Sequence, residues 1–341
     1  MSREIVLAGD LGGTKTVLAL VRRGEPEIGA LEILAQARFE SAHYESLEAM
    51  VEEFLGAHDV RPSQAAIGVA GPVREGRAAL TNLHYAVDEV ALRERLGLEQ
   101  ARLLNDLEAT AFGAPFIPTA SLHPLGPGTR HARGDFAVLA VGTGLGEALG
   151  VDLGASFTVV AGEGGHVDFA PSDERSAELL QHLWSTRGGH VSAESLLSGR
   201  GITTIFEFVV ARGLATPALD LSGAPDPNVA VSDAGLSRTC PAAALALEIF
   251  AGLLGAHAGD AALRTLPVGG VLLGGGIPPK LLTALDTEAF RRAYSAKGRF
   301  SDVAARIPVA VITERNAPLL GAARIALAET DPARRPRLAW P

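Results

Sequence analysis

One plan occurs twice in this chain, and it constrains the fold more than any other feature. Ile5–Ala8 is a short apolar run, followed by Asp10-Leu11-Gly12-Gly13-Thr14-Lys15-Thr16 and then by a second apolar run, Val17–Val21. Further along, Phe136–Val141 leads into Gly142-Thr143-Gly144-Leu145-Gly146, after which Ala148–Val151 opens another strand. Two strands around a glycine-rich turn read as a β-hairpin. The two hairpins match in pattern rather than in letters, which points to two similar halves. At roughly 150 residues per domain, 341 residues also suggest about two domains.

Around the hairpins, strands are expected at Leu31–Phe39, Ala65–Val69, Arg102–Leu104, Val268–Leu273 and Ile307–Ile312. Helices are expected over Glu45–His58, from an Asp88 cap to Leu96, and over Leu107–Gly113, Glu178–Trp184, Ile202–Val210, Pro241–Leu266 and Ala317–Ala328. In the first of these, Leu47, Met50, Val51, Phe54 and Leu55 fall on one helical face. Strands alternating with helices, plus hairpins, give a mixed α/β architecture. Pro115–Gly134 reads as a turn-rich connector with a domain boundary near its start, and Thr216–Ser237 as an irregular loop. The basic tail around Arg334–Arg337 reads as mobile.

The glycine-rich turns carry the first functional signal. Backbone N–H groups in such a turn can converge on a phosphate, and threonine hydroxyls add donors. The Asp10–Thr16 turn is not a Walker A loop, because Thr14 stands where a glycine should precede the lysine and a strand follows instead of a helix. A plain tight turn is the other reading. The second turn, Gly142–Gly146, favours the phosphate reading, since two such turns suit a polyphosphate gripped from both sides. A third cluster, Gly274-Gly275-Gly276, lies between a strand and a helix, where a nucleotide can approach the backbone closely or where a simple connector can run.

Polar groups fall close to these turns. Asn105-Asp106 follows a strand end, where Asp106 suits a general base and either residue suits a helix cap. Glu163-Gly164-Gly165-His166 places a carboxylate and an imidazole around a sharp turn. Ser192-Ala193-Glu194-Ser195 looks like a helix start, and Thr81-Asn82 lies in a short loop. Carboxylates, Asn and His all suit a neutral polyol, and one His with one Glu falls short of a zinc site.

Composition excludes several alternatives. With 30 Lys+Arg against 39 Asp+Glu the net charge is −9, and no long basic run offers a surface for nucleic acid. The single cysteine, Cys240, rules out an internal disulfide and a cysteine-based zinc site. The most apolar stretch, Ala242–Ala258, is interrupted by Glu248, so no membrane span is expected. Four residues precede the first strand, no signal peptide is expected, and a cytoplasmic location follows as the default.

Taken together these segments closely resemble the bacterial ATP-dependent glucokinases, hexokinase relatives with the actin-like ATPase fold. The matching pieces are Asp10–Thr14, Thr81-Asn82, Leu104–Asp106, Gly142–Gly146, Gly162–Pro171, Ser192–Gly199, Leu273–Ile277 and Asn316–Gly321, in the family's order across nearly the whole chain. The resemblance implies a small α/β domain of residues 1–114 and 316–341, a large α/β domain of residues 115–315, and an active-site cleft between them. It implies that Asp106 is the catalytic base and that Asn82, Asn105, Glu163, His166 and Glu194 bind the sugar. Gly12, Gly13, Thr14, Lys15, Gly142, Thr143 and Gly144 would hold the ATP phosphates. Gly274, Gly275 and Gly276 would face the adenosine, and Asp10 would associate with Mg²⁺ through water.

Some positions depart from the pattern. Lys15 stands where these glucokinases commonly carry Asn; a lysine is usual in the related repressor/kinase family, whose Cys-rich zinc motif is missing here. Glu147 directly follows the second loop and is expected to point away from phosphate. The implied function is phosphorylation of glucose at its 6-hydroxyl by a homodimer. The rivals are a kinase for mannose, fructose or an N-acetylated hexose, a non-catalytic sugar sensor, and a structural or chaperone ATPase of the same fold. Polyphosphate or ADP as donor also stays open.

Overall fold

The computed structural model describes residues 4–24, 31–80, 83–131, 134–154 and 157–328. Two compact units emerge. One comprises Met1–Pro118, Leu153–Val160 and Glu314–Pro341, and the other Thr119–Asp152 and Ala161–Thr313. Leu153–Val160 is the piece that the sequence reading leaves with the larger part. The basic tail at 334–337 and Asn82 lie outside the described residues.

In the first unit, β1 (Ile5–Leu11), β2 (Lys15–Arg23), β3 (Leu31–Glu40) and β4 (Gln64–Val69) are joined by α1 (Leu47–Gly56). Ser46 caps α1, its side chain accepting from the Ala49 N–H at 3.2 Å. A small antiparallel sheet, β5 (Val73–Arg74), β6 (Arg77–Ala79) and β7 (Ala86–Asp88), precedes α2 (Glu89–Leu96), which Asp88 caps and Gly97 ends in the left-handed conformation. Then come β8 (Gln100–Asn105) and α3 (Asp106–Gly113).

The main sheet has the order β3-β2-β1-β4-β8. β1 is antiparallel to β2 and parallel to β4, which is parallel to β8. Every residue of β4 is buried, as parallel strands covered on both faces require. β3 instead alternates half-buried and exposed residues, LEILAQARFE, as an edge strand with one wet face does.

The last helix, Ala317–Ala328, packs on α3 and on β1 and β4. The crossing with α3 is backbone on backbone. A Cβ built at Gly321 would overlap the Ala109 carbonyl, and one at Gly113 would overlap the Ala317 carbonyl. Only glycine allows the approach. Phe157 packs against Phe112 and Phe116 in the same unit, with ring centroids 5.7 Å apart in both pairs.

The second unit contains β9 (Leu122–Pro124), β10 (Phe136–Val141) and β11 (Leu145–Asp152), the end of β12 (Phe157–Gly162), α4 (Glu174–Thr186), α5 (Gly199–Ala211) and α6 (Pro227–Leu236). It continues with α7 (Pro241–Thr265), β13 (Gly270–Gly274), α8 (Leu282–Leu285), α9 (Glu288–Ser295), α10 (Ser301–Arg306) and β14 (Val309–Ile312). Its strands run in the order β11-β10-β13-β14-β9. α7 is long and apolar enough to cross a membrane by length and composition, but most of it is buried in the core, with Phe250, Leu254 and Ala258 fully covered.

Two segments differ from the sequence reading. The connector 115–134 contributes β9, which pairs antiparallel with β14 and ends on Pro124, a residue tolerated at a sheet edge. The expected loop 216–237 contains α6. There Asp226 accepts from the Asn228 and Val229 N–H groups, and Pro227 occupies the first helical turn. Those polar and proline residues are a helix start rather than a loop.

Candidate active site

The expected site residues form two groups, one in each unit. In the first unit the group lies at the carboxyl ends of three parallel strands, where ligands bind in open α/β sheets. Asp10 of β1 pairs with Gly68 of β4, and Val69 of β4 pairs with Asn105 of β8. Asp10, Asn105 and Asp106 are thereby gathered at one sheet edge.

Asn105 is the cap of α3. Its Oδ1 accepts the Leu107 N–H at 3.0 Å and its Nδ2 donates to Gly71 O at 3.0 Å. In the Asn105-Asp106 pair, the helix-cap role falls to Asn105. Asp106 opens the helix, and its Oδ1 also accepts from the Leu107 N–H, at 2.9 Å. Burial pushes the Asp106 carboxyl above the usual range, against the pull of the backbone N–H groups. Burial, aided by the charge of Asp106, pushes Asp10 up to about 6.

Among the described residues neither carboxylate has an ion-pair partner. No group of three or more His, Cys, Asp or Glu among them could hold a metal. Two desolvated carboxylates without a cation fit Mg²⁺, which typically binds one or two carboxylates together with substrate phosphates rather than a protein cage.

The first glycine turn joins β1 to β2. Gly12 N–H donates to Lys15 O at 3.0 Å, and Thr14 and Lys15 are exposed. Lys15 Nζ lies 3.8 Å from Glu40 Oε1, both side chains being about half exposed. Beneath the turn sit two fully buried hydroxyls that sequence reasoning missed, Thr16 and Ser41. A Thr at the second position of a strand and a Ser after a charged strand end carry no signal in the sequence. Only the pairing of β2 with β3 brings them together.

In the second unit, Gly142–Gly146 joins β10 to β11. Gly142 N–H donates to Gly144 O at 2.8 Å, and Gly199 N–H, at the start of α5, donates to Gly142 O at 2.9 Å. Thr143 is exposed. The third glycine cluster comes alongside, because Ile277 N–H donates to Val141 O at 3.1 Å, just ahead of Gly142. Gly275 holds φ +85° there.

Glu163 and His166 flank a single 3₁₀ turn with their side chains 3.8 Å apart and exposed. Glu194 is brought beside them, since its N–H donates to Gly165 O at 2.8 Å. Its carboxylate Oε2 also accepts the Leu145 N–H at 2.9 Å, in space that a side chain at Gly144 would fill. Glu194 therefore touches both the Glu163–His166 turn and the Gly142–Gly146 turn. The structure also places His190 Nε2 3.0 Å from Asp168 Oδ1 next to this turn.

Glu147 engages His257 Nε2 at 2.5 Å and Arg264 at 3.1 Å, and lies directly beneath Gly164. Burial raises its pKa, but His257 and Arg264 outweigh that and hold it below the usual carboxylate range. The partners are far apart in sequence, so no local spacing announces this cluster.

Comparisons with known proteins bear on this arrangement. The glucokinase family model matches residues 7–329. The glucokinase of Nostoc punctiforme is 33% identical over 335 residues, covering 94% of this chain and 98% of that one. A crystal structure of glucokinase from an Antarctic psychrotroph superposes with a TM-score of 0.84 at 30% identity, covering 95% of this chain and 99% of that one. A ROK family glucokinase from Streptomyces griseus, solved with glucose and AMPPNP, shares the fold with a TM-score of 0.60 at 22% identity, covering 95% and 99% of the two chains.

Proposed function

The chain belongs to the glucokinase family and has its two-domain actin-like ATPase fold, and we propose that it transfers the γ-phosphoryl group of ATP to the 6-hydroxyl of glucose with Asp106 as base. The observation that supports Asp106 most directly is its position. It is a desolvated carboxylate on the first turn of a helix, at the carboxyl end of a parallel strand, close enough to Asp10 for their charges to interact. A raised pKa brings a carboxylate closer to the operating pH, where a general base works best.

In the proposed reaction the 6-hydroxyl oxygen attacks the γ-phosphorus, the bond to the β-phosphate oxygen breaks, and the hydroxyl proton passes to Asp106. ADP and glucose 6-phosphate leave. Gly12, Gly13, Thr14, Lys15, Gly142, Thr143 and Gly144 supply donors for the phosphates, as the family resemblance implies. Gly274, Gly275 and Gly276 admit the adenosine. Glu163, His166 and Glu194 hold sugar hydroxyls, with Asn105 and Asn82 as further contacts. Asp10 would hold Mg²⁺ through water, and the ion would neutralise charge on the phosphates. Positioning and electrostatics supply most of the rate in such a transfer. A homodimer in the cytoplasm, without nucleic-acid or membrane partners, completes the proposal on the strength of the family resemblance and the acidic charge.

The test is a coupled assay of ADP release with Mg·ATP and a panel of hexoses, on wild type and Asp106→Asn. Turnover with glucose, falling about 10²- to 10⁴-fold in the variant while glucose still binds, supports the proposal. Near-normal turnover of Asp106→Asn removes the base assignment. Turnover with a different hexose moves the substrate while keeping the chemistry.

A further inference from the structure

We propose that Ser41, through a hydroxyl relay with Thr16, is the positioning residue of the first phosphate turn and sets the affinity for the nucleotide. The inference deepens the proposed function, since it takes Gly12–Lys15 as a phosphate turn. The observations are local to one unit. Ser41 follows β3 directly and is fully buried, as is Thr16 on β2. The Ser41 Oγ–H donates to Gly12 O at 2.7 Å. A carbonyl can only accept, so the one hydroxyl proton of Ser41 is committed there. The 2.9 Å contact between Thr16 Oγ1 and Ser41 Oγ is therefore donated by Thr16. The Ser41 N–H donates in addition to Thr14 O at 2.9 Å. One residue thus pins two carbonyls of a short turn, while Gly12 N–H takes the carbonyl of Lys15.

The consequence follows from the planar trans peptide. The carbonyl of Gly12 and the N–H of Gly13 belong to one plane and point in opposite directions. Holding the carbonyl toward Ser41 turns the Gly13 N–H away from it, toward the surface side of the turn. Among the described residues no hydrogen bond uses the N–H of Gly13 or of Thr14. A glycine-rich turn is otherwise free to flip this peptide, because glycine tolerates both signs of φ. The relay removes that freedom and leaves a donor presented to an anion before the anion arrives. Tyr85, whose hydroxyl donates to Ser41 O at 3.3 Å, steadies the residue from the other side.

Calorimetry of AMPPNP with Mg²⁺, and of glucose separately, tests this on the full-length protein. Ser41→Ala and Thr16→Val each remove one link with little change of volume, whereas Thr16→Ser keeps the hydroxyl. A relay predicts a three- to thirtyfold rise in the Kd of AMPPNP, and in KM for ATP, for Ser41→Ala and Thr16→Val. Glucose Kd stays unchanged, and Thr16→Ser returns to within about twofold of wild type. Wild-type nucleotide affinity in both hydroxyl-free variants overturns the proposal, as does an equal loss of glucose affinity, which would mark general damage. Wild type that binds AMPPNP yet turns over no hexose would refute the proposed function and leave this inference standing. Wild type that does not bind AMPPNP refutes the inference. If Ser41→Ala fails to fold, the Thr16→Val and Thr16→Ser pair decides alone.

Discussion

Asp10→Asn should make the ligand-free protein more stable in alkali while destroying its use of Mg·ATP. Asp10 is lifted from 3.8 to about 6 by burial and by the neighbouring charge of Asp106. A carboxyl with a raised folded pKa binds protons more tightly in the folded state. Its contribution is therefore best below the unfolded pKa and is lost as pH rises through the folded one. Each pKa unit corresponds to about 1.36 kcal/mol, so the ionised carboxylate costs about 3 kcal/mol by pH 8. About 1 kcal/mol of that is already lost at pH 4.5. Asparagine keeps the shape and cannot ionise. Urea unfolding of wild type and variant, at pH 4.5 and 8 without nucleotide or Mg²⁺, isolates the difference of differences. The stability of wild type relative to the variant should fall by about 2 kcal/mol between the two pH values. Parallel pH dependences in the two proteins would show that Asp10 is not strained by its charge, and would remove the argument that its site is built for a cation.

Two further outcomes are expected. Gly321→Val should wedge α3 from the last helix and cost about 3 kcal/mol or more, with turnover falling at temperatures where the protein remains folded; unchanged thermal unfolding would refute the crossing. Glu147→Ala should cost about 2 to 3 kcal/mol at pH 7, because it leaves His257 and Arg264 facing a partly buried gap. A carboxyl held low contributes above its unfolded pKa and loses that contribution as pH falls through the folded one. The deficit of the variant should therefore shrink in acid, and a deficit independent of pH would refute the ion-pair account.

The sequence carried the hairpins, the cap of α2 at Asp88 and the amphipathic face of α1, since each is a local pattern of glycine, acid and apolar spacing. It misread 216–237 because Asp and Pro serve turns and helix starts alike, and only packing of α6 on α7 decides between them. β9 was hidden among prolines, its identity depending on a partner strand far along the chain. The acidic and glycine-rich site residues were legible because they stand at strand ends in a recognisable order. Asn105 was legible as a residue of interest, yet its side chain is occupied in capping α3. Ser41, Thr16, Glu147 and His257 were not legible, since what they do depends on contacts made by pairing and packing.

The support of α3 by the last helix has a consequence for synthesis. A ribosome that has made the chain up to Pro118 has already made every strand of the first sheet, both acidic residues and the first glycine turn. Still missing are Phe157, which packs on Phe112 and Phe116, and Ala317–Ala328, which packs on the Asp106 helix and on two central strands. Domains otherwise tend to fold from the N-terminus as they emerge. Here the first third of these residues waits, uncovered, until Ala317–Ala328 has been made. A chain that stops short of Ala317–Ala328 therefore carries Asp10, Asp106 and the Gly12–Lys15 turn without the helix that backs them.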